Sequence, residues 1–501
     1  MNNSKRVIVN TLAQYGRTVF NMLLSLYTVR IVLSTLGASD YGIYTVIAGV
    51  TSMLAFMTNA LISTTQRFMS YYQGQNSVEK MKEVFSNSEI LHLVVGVVIS
   101  AILLIISPLI FDGFLNIPAE RLAAARKVYI VVIFILFITF CSAPFRALLI
   151  SHENIVYISV IDMLDGIIKV VLISILPFMQ YDKLILYSII LLLMQIFNFG
   201  AFSIYSFKQY QECILPKFRL FNKRYVVELS SYAGWVIYGM GCIMGRSQGL
   251  AIIINKFLGT IANAAYGLGF QVSSAVSTVS VAFLNAMRPQ IVKSEGASDR
   301  SRAIKLSSML CKFSFFLLSA ICVPCVFEMP QLLSLWLGDV PQYTVMFARM
   351  ALIAGMVDTL TLGLSVINEA VGNIRSYNLV ISTLKLLTLP LIWLSLHIGL
   401  DLKFIVVIYV FVELLSAMAR VPFVHYTTGL KIRTFINTVV LRESVPFIVL
   451  ILVNVLIVSY VNINLRFLLT IALSCITYAV MIFLIGLESY ERKYIMQFIK
   501  K

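Results

Sequence analysis

Arginine residues lie inside stretches of sequence that are otherwise apolar. Arg17 is well inside the first apolar stretch, and Arg246 is inside the seventh. An arginine at the centre of a bilayer costs about 2.5–3.5 kcal/mol even on lenient insertion scales. A protein that keeps such a charge needs either a water-filled cavity around it or an anion that binds it. We therefore predict that Arg17 and Arg246 face a cationic cavity that binds substrate.

Neutral polar residues form stripes in the same stretches. In the first stretch they recur at intervals of three or four residues, so they share one helical face with Arg17. The second, seventh and eighth stretches carry similar stripes. These side chains would either line the cavity or hydrogen-bond across packed helices. The predicted substrate-binding residues are Arg17, Asn21, Asn59, Arg246, Asn263 and Gln271.

A second group of charges lies in the fifth apolar stretch. Asp162, Asp165 and Lys169 follow one another at steps of three and four residues, which keeps them near one helical face. Asp165 and Lys169 stand in the favourable order for an ion pair between positions i and i+4. Lys385 lies in the eleventh stretch, the counterpart of the fifth in the repeat described below. This charge group would either gate the cavity or be a silent buried pair.

The elements that must position these residues are membrane-spanning helices. Hydrophobic residues make up 59% of the 501 residues and charged residues only 12%, whereas soluble domains average about 25% charged residues. The apolar stretches are roughly 7–33, 41–65, 87–110, 127–150, 155–178, 184–207, 227–255, 260–287, 303–327, 342–367, 376–398, 402–424, 444–462 and 464–487. The sequence therefore predicts an all-α polytopic membrane protein of about 14 transmembrane helices.

The distribution of basic residues predicts the orientation. The net charge of +16 comes from Lys and Arg residues that concentrate in alternate loops and in the C-terminal tail. By the positive-inside rule these loops and both termini face the cytoplasm. Anionic lipid headgroups or an anionic lipid-linked substrate are the partners that this charge favours, and nucleic acid is not.

Short landmarks recur between the two halves of the chain. Leu-Gly at 36–37 recurs at 258–259, Tyr-Gly at 41–42 recurs at 266–267, and Asn-Ile at 154–155 recurs at 373–374, with offsets of 222, 225 and 219 residues. An even number of helices in each half makes the repeats parallel, with a central cavity between them. We predict a six-helix bundle at residues 1–210, a second one at 211–430, and a terminal helix pair with a cytoplasmic tail at 431–501.

Nothing in the sequence indicates an enzyme or a cofactor. The seven cysteines lack metal-ligand spacing, and we interpret them as buried, unpaired thiols. The four histidines form no cluster, and no loop is long enough for an external catalytic domain. A membrane polysaccharide polymerase or ligase is therefore a distant alternative, and we expect no metal and no cofactor.

Several motifs resemble the Wzx-type polysaccharide flippases of the multidrug/oligosaccharidyl-lipid/polysaccharide exporter superfamily. The most similar stretch is residues 255–296, which contains Asn-Ala-Ala at 263–265 and the run Arg-Pro-Gln-Ile-Val-Lys at 288–293. The turn Leu-Gly-Ala-Ser-Asp-Tyr-Gly at 36–42 is also similar. The organisation of that family matches the whole chain, whereas the motifs cover about a fifth of it.

This resemblance implies a function in the bacterial inner membrane. Such a protein flips undecaprenyl-pyrophosphate-linked oligosaccharide repeat units for O-antigen or capsule synthesis, by alternating access. The pyrophosphate would meet Arg17 and Arg246. Polysaccharide polymerase and chain-length proteins are the protein partners that the resemblance suggests.

Two relatives within the superfamily are alternatives. A lipid II flippase would also use a cationic cavity. A cation-coupled multidrug exporter would need an acidic residue in the first helix, which carries Arg17 and Arg30 and no acid. The sequence does not indicate the sugar composition, the coupling ion or the oligomeric state.

Overall fold

Every regular element in the described part of the chain is a helix. The computed structural model describes residues 3–52, 54–111, 118–216, 221–337, 339–461, 463, 465–489 and 491–492. The first helices are α1 (Asn3–Ser52), α2 (Ala55–Gly74), α3 (Val78–Leu109), α4 (Ala119–Ser151), α5 (Ile155–Ile175) and α6 (Lys183–Gln209). The others are α7 (Lys223–Gly259), α8 (Ile261–Gly296), α9 (Arg300–Phe327), α10 (Met329–Leu337), α11 (Thr344–Thr359), α12 (Leu362–Val371), α13 (Ile374–His397), α14 (Lys403–Thr428), α15 (Ile432–Tyr460) and α16 (Arg466–Gly486).

Most of these helices are long and apolar enough to cross a bilayer. Among the described residues, ten helices meet both criteria, and α11 with α12 would add an eleventh span that is bent by 47°. Helix α5 is long enough, but it carries Asp162, Asp165 and Lys169. Each of the fourteen predicted apolar stretches coincides with helix. The prediction of an all-α polytopic membrane protein is confirmed.

The chain forms two compact units. Unit 1 comprises the residues up to Ile237 with Gly296–Ser298, and unit 2 comprises Tyr238–Glu295 with the residues from Asp299 onward. One buried apolar cluster of unit 1 includes Ile47 of α1, Val128 of α4 and Leu184 of α6. In unit 2, one such cluster joins α7, α8, α11, α13 and α14. A second cluster joins α9 to α11, α15 and α16.

Two glycines interrupt long helices in the same way. The backbone of Gly37 has φ 76° and ψ 168°, and that of Gly259 has φ 81° and ψ −176°. Residues with a side chain essentially never adopt this conformation. The two Leu-Gly landmarks are therefore sharp helix breaks with the same local geometry, as expected for corresponding points of a repeat.

The Asn-Ile landmarks also match in conformation. Asn154 precedes α5 with φ −89° and ψ 52°, and Asn373 precedes α13 with φ −81° and ψ 55°. In each case the residue before the asparagine has positive φ, which is 58° at Glu153 and 95° at Gly372. The two Asn-Ile landmarks are thus each preceded by a turn of similar backbone conformation.

Substituting either helix-break glycine with alanine is expected to destabilise the protein. Gly37→Ala and Gly259→Ala should each cost about 1–3 kcal/mol, because alanine is strained at positive φ. Matched controls are Gly42→Ala and Gly267→Ala, which lie in regular helix with no atom within 4 Å of the added Cβ. These controls should be neutral or stabilising by up to about 1 kcal/mol. Thermal unfolding in detergent, followed by labelling of buried thiols, measures the difference, and equal effects at all four sites would contradict it.

The terminal helix pair packs on α9. The Glu328 carboxylate at the end of α9 accepts hydrogen bonds from Arg466 Nε at 2.9 Å and Arg466 Nη2 at 3.0 Å. Ser319 Oγ and Tyr478 Oη lie 2.7 Å apart at mid-helix. Helix α15 begins at Ile432, earlier than the predicted residue 444, and so it includes the buried Glu443.

An ion cluster fixes one end of unit 1. Arg121 at the start of α4 donates hydrogen bonds to Asp40 of α1 and to Asp182 before α6. Asp182 also caps α6, because its Oδ1 accepts from the backbone N–H of Leu184 at 3.0 Å. Burial alone would raise the pKa of Asp182, but the hydrogen bonds from Arg121 and from this backbone outweigh it and lower that pKa. The cluster therefore connects α1 with the N-terminal ends of α4 and α6.

The predicted orientation can be tested with reporter fusions. Fusions after Asp182 and after Asp339 should give a periplasmic signal, and fusions after Lys223 and after Lys431 a cytoplasmic signal, because basic loops stay inside. All four positions lie at or beside a helix end. Alkaline phosphatase and green fluorescent protein, fused at each site, provide opposite readouts. Reversed signals at any two sites would contradict the topology.

Candidate functional site

Arg17 belongs to an ion cluster within unit 1. Its Nη1 atom lies 2.7 Å from Asp162 Oδ2 on α5. Arg146 of α4 reaches the same carboxylate oxygen through Nη2 at 3.0 Å. The three side chains are 17–33% exposed, so they are not fully enclosed by the protein. Arg146 is therefore a member of this cluster, although it was not among the predicted site residues.

Asp165 and Lys169 form a second group one turn further along α5. Lys169 Nζ donates to Asp165 Oδ2 at 2.9 Å, and Asn198 Nδ2 of α6 donates to Asp165 Oδ1 at 2.9 Å. Both oxygens of the carboxylate are therefore bound. Asp162 is separate from this pair because its partners are arginines of α1 and α4.

A cavity of about 400 Å³ lies beside these two groups within unit 1. Arg146 and Asn198 contribute to its wall, and so does the predicted site residue Asn59 of α2. Its other polar lining residues are Thr58, Thr139, Ser142 and Gln195. A cavity of this size that combines apolar walls with a few polar groups is typical of small-molecule sites. Asn59 is exposed and so can reach a bound molecule.

Arg246 belongs to a larger, more deeply buried network in unit 2. Its Nη1 atom lies 2.6 Å from Glu413 Oε2, and Lys385 Nζ lies 2.5 Å from Glu413 Oε1. Lys385 also contacts Asp358 Oδ1 at 2.9 Å, and Arg420 Nη2 contacts the same oxygen at 2.6 Å. The network connects α7, α11, α13 and α14.

Two irregular helix turns position this network. Helices α11 and α12 are bent by 47° directly after Asp358. Arg420 Nη1 donates to the Asp358 carbonyl at 3.2 Å and to Thr361 Oγ1 at 3.3 Å, so it satisfies polar groups at the bend. In α13 a π-helical turn at Asn378–Ser382 precedes Lys385. Such turns are frequent at functional sites.

Each unit holds an excess of positive charge in its network. In the described residues of unit 1, Arg17 and Arg146 share one carboxylate. In the described residues of unit 2, three cations share the two carboxylates of Asp358 and Glu413. These cations are Arg246, Lys385 and Arg420. The Arg246 guanidinium also lies 4.6 Å from the centre of the Tyr409 ring, which offers a favourable cation–π contact. Both networks therefore contain one more cation than carboxylate.

The remaining predicted site residues lie in varied surroundings. Asn21 packs against Gly166 of α5, where an added Cβ would lie 3.2 Å from its Oδ1. Asn263 lines a second cavity of about 480 Å³ with Gln248, Asn255 and Lys256. Gln271 is exposed on α8. The structure thus brings Arg17 together with Asp162, and Arg246 together with Lys385, but it leaves Asn21, Asn263 and Gln271 outside these networks.

Three members of the unit 2 network were not among the predicted site residues. Asp358, Glu413 and Arg420 are far apart in sequence, and no spacing rule connects them. The available signal was that two carboxylates and an extra arginine stood inside apolar stretches without a partner on their own helix. Intramembrane charges normally pair with one another, so these residues could have been assigned to Lys385 and Arg246.

Comparisons with known proteins agree with the fold. The family model MatE matches residues 17–174, which is less than half of the chain. A MATE structure in the bent conformation is similar over 87% of this chain and 97% of its own, with a TM-score of 0.76 and 13% identity. An outward-facing multidrug resistance MATE family transporter of the MOP superfamily is similar over 86% and 96%, with a TM-score of 0.71 and 14% identity.

A third similar structure is that of a MOP superfamily transporter from Pyrococcus furiosus. The binding pocket of that transporter is described as having reverse polarity. The structure is similar over 86% of this chain and 96% of its own, with a TM-score of 0.69 and 13% identity. No curated protein matches the chain. The chain is therefore a multi-pass membrane protein with the MATE fold, and these likenesses do not single out the polysaccharide branch.

Proposed function

We propose that the protein is a transporter that flips undecaprenyl-pyrophosphate-linked oligosaccharide repeat units across the bacterial inner membrane. The observation that carries this proposal is the excess cation in both charge networks of the described residues. A membrane site with surplus arginine favours an anionic ligand, and pyrophosphate is a strong acceptor for guanidinium groups. The motif at residues 288–293 supports the polysaccharide branch.

The charge of the networks argues against a substrate that is itself a cation. A cationic drug in the unit 1 cavity would be repelled by Arg146, because Asp162, its one carboxylate partner in the described part of the chain, also binds Arg17. Arginine stays charged at any physiological pH. An anionic headgroup at the same place would gain an attractive interaction instead.

A multidrug exporter is the second candidate. The family model and the structural neighbours favour it, since one neighbour is described as a multidrug resistance transporter. The reversed pocket polarity described for another neighbour is consistent with one fold accepting substrates of different charge. A lipid II flippase remains the closest alternative with an anionic substrate.

Deletion of the gene from its host distinguishes these functions. The flippase proposal predicts loss of surface polysaccharide and accumulation of lipid-linked repeat units in the inner leaflet. Complementation with the wild-type chain should restore both. Peptidoglycan precursors would accumulate instead if lipid II were the substrate. Normal polysaccharide together with increased sensitivity to cationic drugs would contradict the proposal and favour the second candidate.

A further inference from the structure

A cavity of about 530 Å³ lies at one end of unit 2, away from the charge network. It is formed by the first turns of α9, the first turns of α15 and the segment that follows α16. Its volume lies within the range of small-molecule sites. Neither the substrate-binding prediction nor the proposed transport cycle uses this cavity.

A buried ion pair lies among the residues that line the cavity. Lys312 Nζ lies 2.8 Å from Glu491 Oε1 and 2.7 Å from Glu491 Oε2. Both side chains are only 3% exposed. Removal of either partner would leave an uncompensated charge at a buried position, so this pair holds the C-terminal segment against α9.

A second set of contacts holds the end of α16 and the segment that follows it. Arg442 Nη1 of α15 donates to the carbonyls of Ile485 at 3.3 Å and Leu487 at 3.1 Å. Arg492 Nη2 donates to the carbonyl of Leu484 at 2.7 Å. These arginines satisfy carbonyls at the end of α16, where cations are favoured. The cavity is therefore pre-formed by the fold.

The lining combines positive charge, hydroxyl groups and apolar surface. Lys305 and Lys431 line the cavity from two different segments, since Lys305 belongs to α9 and Lys431 directly precedes α15. The hydroxyl groups are those of Ser301, Ser308, Thr434 and Thr438, and the apolar lining is Ile304, Met309, Leu430, Phe435 and Val439. Among the described lining residues, three lysines face two glutamates. The N-terminus of α15 adds the positive end of a helix dipole.

This combination is that of an amphipathic anion site at a membrane boundary. The Lys and Arg bias of the loops predicts that this end of α9 and α15 faces the cytoplasm. Basic pockets between transmembrane helices on that side bind the headgroups of anionic lipids. We propose that the cavity binds the phosphate headgroup of an anionic phospholipid from the inner leaflet, with its glycerol and first methylenes against the partly exposed Ile304 and Met309. This inference does not depend on the transported substrate.

Native mass spectrometry of the full-length protein in detergent tests the site. The probes are phosphatidylglycerol, phosphatidylethanolamine and inorganic phosphate, each added at a stated concentration. Wild-type protein should retain one phosphatidylglycerol more tightly than phosphatidylethanolamine. The Lys305→Gln/Lys431→Gln variant should bind it about 30-fold more weakly, since each basic residue near the surface contributes about fivefold.

Two further variants separate the site from general charge effects. Lys127→Gln/Lys403→Gln removes the same charge from exposed positions elsewhere and should leave binding unchanged. Lys305→Arg/Lys431→Arg should keep the phosphatidylglycerol adduct, which also guards against a folding defect in the glutamine variant. Equal weakening in both glutamine variants would overturn the proposal. Full displacement of the lipid by millimolar inorganic phosphate, or equal binding of phosphatidylethanolamine, would also overturn it.

Discussion

Substitution of Glu413 by glutamine is expected to destabilise the protein by about 3–5 kcal/mol, because it breaks a buried ion network by removing one partner. Glu413 is 2% exposed and its two oxygens bind Arg246 and Lys385. Glutamine has nearly the same volume but carries no charge. The network would then hold three cations and the single carboxylate of Asp358. Thermal unfolding in detergent, followed by labelling of the buried Cys311 and Cys322 thiols, measures the loss.

A charge-balanced double variant makes this prediction specific. In Arg246→Gln/Glu413→Gln, Lys385 and Arg420 remain with Asp358, so the network keeps the wild-type excess of one cation. This variant should recover at least half of the stability that Glu413→Gln loses. The control is Asp401→Asn, since Asp401 is 59% exposed and lies 4.0 Å from Lys403. It should change stability by less than about 0.5 kcal/mol. A double variant no better than the single one would show that net charge does not set the stability of the network.

The helical organisation could be predicted from the sequence because it depends on local features. Apolar stretches long enough to span a bilayer leave little choice of structure, since backbone groups in lipid must be satisfied within a helix. Gly37 and Gly259 could be placed as equivalent points because glycine is the residue that tolerates their backbone conformation. The pairing of Asp165 with Lys169 lies within a single helix turn, so spacing alone indicated it.

The ion networks could not be derived in the same way because their members come from different helices. Arg17 and Asp162 are separated by 145 residues, and Arg246 and Glu413 by 167. Helix spacing shows which face a charge occupies but not which neighbouring helix packs against that face. The start of α15 was misplaced for another reason. Arg442 and Glu443 interrupt the apolar pattern, but Arg442 bonds to carbonyls at the end of α16 and Glu443 is buried, so the helix continues through them.

The Asp162 carboxylate beside Arg17 raises the question of whether the cluster keeps a net charge that could bind an anion. If Asp162 neutralised Arg17 alone, the pair would be electrically silent. Asp162 instead accepts from both Arg17 and Arg146, so the cluster retains a positive charge beside the cavity of unit 1. An incoming pyrophosphate could therefore bind without displacing Asp162. The second arginine also means that loss of Arg17 leaves Asp162 paired.

Arg17→Gln is expected to lose about 90–99% of export activity while remaining in the membrane at a normal level. A hydrogen bond to a charged group contributes about 1.5–3 kcal/mol, which corresponds to a factor of about 10–100 in rate if it forms with the substrate anion during translocation. The fold should persist because Asp162 still binds Arg146 at 3.0 Å. Arg17→Lys should keep part of the activity, because it retains the charge but not the bidentate geometry. Surface polysaccharide, and lipid-linked repeat units in the inner leaflet, provide the readout.

The matched control for Arg17 is Lys169→Gln, which removes one cation from α5 in the same unit. Lys169 binds Asp165, whose other oxygen accepts from Asn198, so this variant changes the charge without touching the Arg17 cluster. It should export at more than half of the wild-type rate if substrate binding by Arg17, rather than the total charge of unit 1, is what matters. Equal losses in the two variants would assign the effect to overall charge. Wild-type export by Arg17→Gln would remove Arg17 from the substrate path, and disappearance of that variant from the membrane would make its role structural.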